Sequence, residues 1–222
     1  MSVRKEDNRL VVLGAGDHAK VVIATIEAQT TYKVIGLLDD DESKHGTTWY
    51  GHQVLGGNGQ LARLREQGVT NAFVAIGDNV ARARLAKLAV KTGFGLTSVV
   101  HPTAVILNGS VIGEGSVVLP HAFVGADAQV GRGAILSVGT VVAHDCILGE
   151  WCQLCPGVKL GGHVQVGDYA LIGMGAAVLP GTSVGRQAVV GANAAVISDI
   201  PDFETVVGVP ARVVGMRQPL IN

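Results

Sequence analysis

VVLPHAFVGADAQVGRGAILSVGTVVAHDCILGEWC, residues Val117–Cys152, keeps a period of six from end to end. Val118, Val124, Val130, Leu136, Val142 and Leu148 are aliphatic, and the residue four further on is always small or slim: Ala122, Ala128, Ala134, Thr140, Cys146, Cys152. Carried outward, the register runs back to Val100 and forward through Leu154, Leu160, Val166, Ile172, Val178, Val184 and Val190 to Val196 without an exception. A repeat this short is the signature of a solenoid. Each hexad makes one short strand and a corner; the aliphatic residue fills the interior, the small one fits where the chain turns inward, and coils stack through parallel backbone hydrogen bonds at roughly 4.8 Å. A β-sandwich would instead alternate with a period of two between regularly spaced turns. Glycine after the aliphatic position, as at Gly113, Gly125, Gly149 and Gly161, is expected to permit the corner's backbone conformation.

Upstream of Val100 the period is different. Leu10–Leu13 predicts a strand, Gly14-Ala15-Gly16-Asp17 a turn, His18–Ala28 a helix, and Lys33–Leu38 a strand ending in Asp39-Asp40-Asp41, which together make a βαβ unit. Leu61–Gln67 reads as helix, Asn71–Ile76 as strand, Asn79–Thr92 as an amphipathic helix and Thr97–Val100 as a last strand. Alternation of this kind implies a small parallel sheet with helices on its faces. The expected organisation is an α/β half-Rossmann (βαβαβ) domain over residues 1–99, an all-β parallel β-helix over 100–197, and a tail over 198–222.

The 222 residues are 48% hydrophobic and 16% charged, ample for a buried core. Net charge is −1 and the Lys and Arg residues are scattered, so no basic stripe offers to neutralise a nucleic-acid backbone. Met1–Leu10 is polar and no apolar run reaches the length of a spanning helix, from which a cytoplasmic chain without a membrane span is expected. Cys146, Cys152 and Cys155 are an odd number with no pairing framework, which suits a reducing compartment. The Cys152-x-x-Cys155 pair lacks the second pair of a zinc ribbon.

Within the repeat nearly everything is apolar, Gly or small, so polar exceptions stand out, most densely at Val142-Ala143-His144-Asp145-Cys146. His144 is third in its hexad, outside the interior positions. A neutral imidazole there is suited to take a proton from an attacking amine, and a carboxylate beside it would orient the ring and raise its basicity. Asp145 is the candidate, although neighbours on a strand point to opposite faces; at a corner that objection weakens. His144 is also one of seven histidines, any of which can be merely exposed.

The layout as a whole resembles the hexapeptide-repeat sugar acetyltransferases of the sialic-acid, bacillosamine and perosamine type. The residues that carry the resemblance are Gly14-x-Gly16-x-His18, a strand ending Asp39-Asp40, Ile76-Gly77-Asp78-Asn79, the hexads with His144-Asp145-Cys146-Ile147-Leu148-Gly149-Glu150-Trp151, and Val207-Gly208-Val209-Pro210-Ala211-Arg212. The resemblance implies a left-handed β-helix with about eighteen residues per coil, a homotrimer with active sites in the grooves between prisms, and acetyl-CoA as co-substrate. It makes His144 the general base, Asp145 its support, and the Gly162 backbone N–H, one coil on, the donor to the thioester oxyanion. It places Gly173, Met174 and Gly191 along the pantetheine arm and Arg212 near the nucleotide end of the coenzyme. Gln153 departs from the pattern: some relatives carry a second histidine there, near acetyl-CoA, and glutamine cannot act as acid or base.

The first βα turn is close to a dinucleotide fingerprint, in which backbone amides and a helix N-terminus accept phosphate and a carboxylate at the next strand end holds a ribose or base edge. Only one mononucleotide half precedes the β-helix. By resemblance, Gly16, Asp17 and His18 contact the diphosphate and sugar of a nucleotide-linked amino sugar, Asp39 and Asp40 the base or ribose, and Gly77 and Asp78 the turn beside it. The expected activity is N-acetylation of a 4-amino group. Open beside it stand O-acetylation of a hydroxyl, an NAD-linked enzyme and a non-catalytic scaffold, and the sequence leaves UDP against GDP undecided. No metal is expected: a γ-type carbonic anhydrase needs three convergent histidines, and His121, His144 and His163 are 23 and 19 residues apart.

Overall fold

A computed structural model describes residues 8–219. The chain divides between Val99 and Val100 into two compact units.

The first unit is built on strands β1 (Arg9–Leu13), β2 (Lys33–Leu38), β3 (Thr48–Trp49), β4 (His52–Gly56), β5 (Asn71–Val74) and β6 (Gly95–Leu96), with helices α1 (Asp17–Gln29), α2 (Leu61–Glu66) and α3 (Asn79–Lys91) between them. The sheet order is β3-β4-β2-β1-β5-β6. All its pairings are parallel except that of β3 with β4. Leu10, Val11, Val12 and Leu13 of the central strand are wholly buried, as a parallel strand covered on both faces should be. The order of connections reverses at β1: the chain passes from β1 to β2 on one side and returns to β5 on the other. A switch point of this kind opens a crevice outside the carboxyl ends of β1 and β5.

One sequence expectation fails here, and one pair of strands has no counterpart among the expectations. The β3–β4 hairpin was unforeseen because its strands are short and carry the polar residues Thr48, His52 and Gln53. Thr97–Val100 is not a strand of this sheet: Gly95–Leu96 pairs with β5, and Val99–Val100 belongs to the β-helix.

The second unit is a left-handed β-helix of two-residue strands in three parallel sheets. Val117 pairs with Ile135, Phe123 with Val141 and Gln129 with Ile147, so each coil is eighteen residues and each hexad supplies one face. Val118, Leu136 and Leu154 on one sheet, Val124, Val142 and Leu160 on the next, and Val130, Leu148 and Val166 on the third meet in a single core with the small corner residues Ala122, Ala128, Ala134 and Cys146. At the corners from Gly109 to Asn193 the fourth residue of each hexad is left-handed, including Asp127, Asp145, Trp151, His163, Tyr169 and Asn193, with φ from 55° to 59°. From Asp127 onward its N–H donates to the carbonyl one coil earlier: Asp145 to Ala126 at 3.0 Å, His163 to His144 at 3.1 Å, Gly181 to Gly162 at 2.9 Å. Beyond the hexads, Glu204–Val207 pairs in parallel with Val189–Val190, and Arg212–Met216 folds back antiparallel on it.

The glycines after the aliphatic position serve a purpose other than the one expected. None has positive φ. A Cβ at Gly125 would lie 2.6 Å from Ala143 C and His144 N, so glycine is needed because the next coil passes too close for a side chain.

Candidate active site

The left-handed conformation of Asp145 decides the geometry of the corner. With φ at 58°, its side chain leaves the corner on the same side as that of His144, and Asp145 Oδ2 lies 2.7 Å from His144 Nδ1. A carboxylate only accepts, so Nδ1 carries the proton and donates it to the bond, which leaves the Nε2 lone pair outermost. Both side chains are exposed, at 60% and 45%.

One coil on, Gly162 lies beneath this imidazole. A Cβ there would stand 2.6 Å from His144 Cε1 and 2.7 Å from Nε2, so only glycine admits the ring in this position. The Gly162 carbonyl is taken by Gly181, while its N–H has no partner among the described residues. The residue on which the imidazole rests therefore carries a backbone donor without a partner among the described residues, and a donor of that kind can hold an oxyanion.

His163 is the residue sequence reasoning left out of this site. It stands one coil after Asp145 in the same left-handed corner position, with its Nε2 3.8 Å from Asp145 Oδ2 and its ring edge-on to His144 at 5.2 Å between centroids. Counting eighteen from Asp145 would have found it, whereas counting from His121 did not. The donor atoms of His144, Asp145 and His163 lie within 4.8 Å of one another, a set with the chemistry to take a transition metal. Amine attack on a thioester needs no Lewis acid.

The residues expected along the coenzyme lie elsewhere on the prism. Gly173 and Met174 occupy the corner before Ala177–Val178, Gly191 stacks on that corner one coil later, and His144 occupies the corner after Val141–Val142; Ala177–Val178 and Val141–Val142 belong to one sheet, so the two corners flank it at opposite edges. Met174 is 58% exposed. Gln153 opens the strand Gln153–Leu154 on a different sheet, its Nε2 4.0 Å from Cys155 Sγ. Arg212 begins the last strand and donates to Ala211 O at 2.8 Å. A single chain thus does not gather the base and the expected coenzyme residues at one point.

In the first unit the turns after β1 and β5 meet at the switch point. Gly14 has φ 107°, and a Cβ on it would lie 2.7 Å from Ile76 Cδ1 and 3.0 Å from Ala75 O, so the two turns approach as closely as glycine allows. Gly16 caps α1; Asp17 is exposed and pairs with Lys20 at 2.9 Å. Trp49, from the unforeseen hairpin, donates its indole N–H to Gly16 O at 3.2 Å, and Lys20 stands over its ring at 4.8 Å. His18 is mostly buried with Nε2 unpartnered. Burial, and after it the Arg82 charge, push its imidazole down to about 4.

The aspartates after β2 are tied inward. Asp39 Oδ2 accepts from Ala15 N at 2.8 Å and from Lys44 Nζ at 3.1 Å, and Oδ1 from Asp41 N at 3.0 Å. Burial by itself would raise the Asp39 carboxyl; the Asp41 and Ala15 amides and Lys44 outweigh it and hold it below the ordinary value. Asp40 accepts from Asn58 N at 2.9 Å and Asn58 Nδ2 at 2.6 Å. Asp78 caps α3 through Ala81 N at 2.8 Å, and Gly77 faces open space.

Known proteins resemble this chain in sequence and fold. The PglD N-terminal domain family matches residues 9–89. Over 113 residues the chain is 34% identical to the UDP-N-acetylbacillosamine N-acetyltransferase of Bacillus subtilis (strain 168), a stretch covering 48% of this chain and 49% of that enzyme, so the match spans about half the length of that curated relative. PerB from Caulobacter crescentus, solved with CoA and GDP-perosamine, superposes with a TM-score of 0.89 at 41% identity, covering 93% of this chain and 97% of that one. The chain belongs to the hexapeptide-repeat sugar N-acetyltransferases. Another protein of this family, the acetyltransferase domain of PglB from Neisseria gonorrhoeae FA1090, solved with acetyl coenzyme A, superposes with a TM-score of 0.85 at 33% identity over 94% of this chain and 100% of that domain. WeeI from Acinetobacter baumannii AYE matches at 29% identity with a TM-score of 0.81. The sugar N-acetyltransferases thus share with this chain both the α/β unit and the β-helix.

Proposed function

We propose that this chain transfers the acetyl group of acetyl-CoA to the 4-amino group of a nucleotide-linked amino-deoxy sugar, a step in surface-glycan synthesis. The observation that carries the reading is His144, tied to Asp145 at 2.7 Å and lying on Gly162, whose N–H is unspent. The neutral amine attacks the thioester carbonyl, His144 Nε2 takes the proton the nitrogen sheds, and the Gly162 N–H holds the oxygen as its charge develops. Collapse of the tetrahedral adduct breaks the C–S bond, and the proton on His144 passes to the leaving sulfur. Asp145 keeps the ring oriented and stabilises the transient imidazolium.

The α/β unit is the seat of the nucleotide sugar in this reading. Gly16, Asp17 and His18 face its diphosphate and sugar, Gly77 and Asp78 line the turn opposite, and Asp39 and Asp40 shape the loop beside the base chiefly through the bonds that fix Ala15 and Asn58. Gly173, Met174, Gly191, Gln153 and Arg212 serve acetyl-CoA. Because those residues and His144 lie at different corners and faces of one prism, we assign the protein a homotrimer in which a neighbouring prism completes each groove. The chain works in the cytoplasm, where acetyl-CoA and nucleotide sugars are made and where Cys146, Cys152 and Cys155 stay reduced. Among the described residues no helix is long and apolar enough to cross a membrane.

The test is CoA release with UDP- and GDP-linked 4-amino sugars against analogues carrying a hydroxyl at that carbon. Release with an amino sugar alone is the expected result; release with the hydroxyl analogues alone would make this an O-acetyltransferase. His144→Asn should cut kcat by about a thousandfold while leaving the fold intact, the range expected for loss of a general base. Turnover near that of the natural chain would remove the base assignment.

A further inference from the structure

Arg82 is 1% exposed, a guanidinium enclosed in the α/β unit. It projects from the first turn of α3, and its guanidinium reaches back to the turn just before the helix. Nη1 donates to Ile76 O at 3.0 Å and to Gly77 O at 3.1 Å, and Nη2 to Asn79 Oδ1 at 2.7 Å. One side chain therefore fixes the turn that carries Gly77 and Asp78 at the carboxyl end of β5. Its charge also reaches His18 across the crevice and helps to keep that imidazole neutral.

The two carbonyls share peptide groups with two amides. Across a trans peptide the C=O and N–H point in opposite directions, and the peptides after Ile76 and Gly77 are trans. Drawing the carbonyls of Ile76 and Gly77 inward onto Arg82 therefore turns the N–H groups of Gly77 and Asp78 outward. Neither N–H has a partner among the described residues, Gly77 and Asp78 are exposed, and a Cβ on Gly77 would meet nothing within 4 Å. Two successive outward amides offer adjacent donors to the oxygens of an anionic group.

We propose that Arg82 is a positioning residue for the nucleotide-linked substrate: by gripping Ile76 O and Gly77 O from inside, it aims the Gly77 and Asp78 amides at the diphosphate. The inference rests on the nucleotide-sugar reading given above and adds to it the residue that sets the turn's orientation. Arginine is required because a planar fork can hold two consecutive carbonyls and Asn79 at once, which the single ammonium of lysine cannot do in that geometry.

The experiment compares the natural chain with Arg82→Lys and, as a milder variant that keeps the arginine, Asn79→Ala. Titration calorimetry with GDP, UDP and their 4-amino-sugar conjugates is run beside steady-state kinetics, all well below each variant's melting temperature. Arg82→Lys should raise Kd for the nucleoside diphosphate and KM for the sugar nucleotide at least tenfold, with KM for acetyl-CoA changed less than twofold. Asn79→Ala should show the same selective rise at severalfold size. A purely structural role would lower the melting temperature and leave both KM values alike, and that result in either folded variant would overturn the proposal. If Arg82→Lys does not fold, Asn79→Ala alone decides. Absence of nucleotide-sugar binding in the natural chain would defeat the substrate reading itself, whereas equal binding in natural and variant chains defeats only the role of Arg82.

Discussion

A Cβ on Gly162 would enter the space of an exposed imidazole and not of the backbone, so Gly162→Ala has a predictable division of effects. The chain folds, because the His144 ring can swing away, and the Gly162 N–H stays where it is. What changes is where Nε2 sits. A displacement of about 1 Å costs on the order of a hundredfold in rate, so kcat should fall by about that factor with a melting temperature nearly unchanged; a kcat within twofold would show that ring position is not limiting. His18 gives a second expectation at this scale. Its imidazole is pushed from 6.5 down to about 4, first by burial and then by Arg82. The fold thus resists a proton that the unfolded chain accepts. Stability is full above about pH 6.5 and is lost progressively as pH falls toward 4, by about 3 kcal/mol in all. Urea unfolding from pH 7 to pH 4 should show this decline, and His18→Gln should flatten it. His144 and Asp145 were legible as polar exceptions in an apolar repeat, and Gly162 by stepping one coil on from His144. His163 lies one coil on from Asp145 and was open to the same step, but it carries no local pattern of its own, and Arg82 looked like one more charge on an amphipathic helix.

Among the elements, the β-helix strands were readable to the residue, since one face of every hexad must be aliphatic to fill the prism. The α/β unit was readable in its helices and long strands. It was opaque at β3 and β4, where two short polar strands pair antiparallel and have no apolar period to show. The glycines after the aliphatic position were recognised but misassigned: their φ is ordinary, and stacking distance explains them. Gly125→Ala tests that account. Its Cβ would press on the backbone of Ala143 and His144, which cannot rotate away. The variant should lose roughly 2 kcal/mol, in the range of overpacked cores, measured by chemical denaturation, and should lose activity too because the displaced coil carries His144. Gly139→Ala, where a Cβ meets nothing within 4 Å but φ is 66°, should cost about 1 kcal/mol through backbone strain alone and leave His144 unmoved.

For the molecule as a whole, the proposed function puts the nucleotide sugar on the unit before the division at Val99 and acetyl-CoA on the unit after it. A ligand stabilises the unit that binds it by mass action. Hydrogen exchange read by mass spectrometry should show a nucleotide sugar slowing exchange around Gly14–His18 and Ile76–Asp78, and CoA slowing it around Gly162, Gly173 and Gly191. The opposite pattern would exchange the two assignments. Sedimentation at micromolar concentration should give three times the 22.8-kDa chain mass, and a monomer with full activity would mean that one prism suffices.

The pairing of Val117 with Ile135 fixes how this chain can change length. Removing six residues between His144 and Gly162 would turn every later corner onto the neighbouring face, so Gly162 would leave His144 although each strand kept its aliphatic residue. Removing or adding eighteen would shift the later coils along the axis with every face preserved. Length in this molecule is therefore counted in whole turns wherever two corners must keep to the same face. A short insertion could be absorbed only by bulging outward from a corner as a loop. Variation among such chains should fall into those two kinds, whole coils near the ends and loops at the corners.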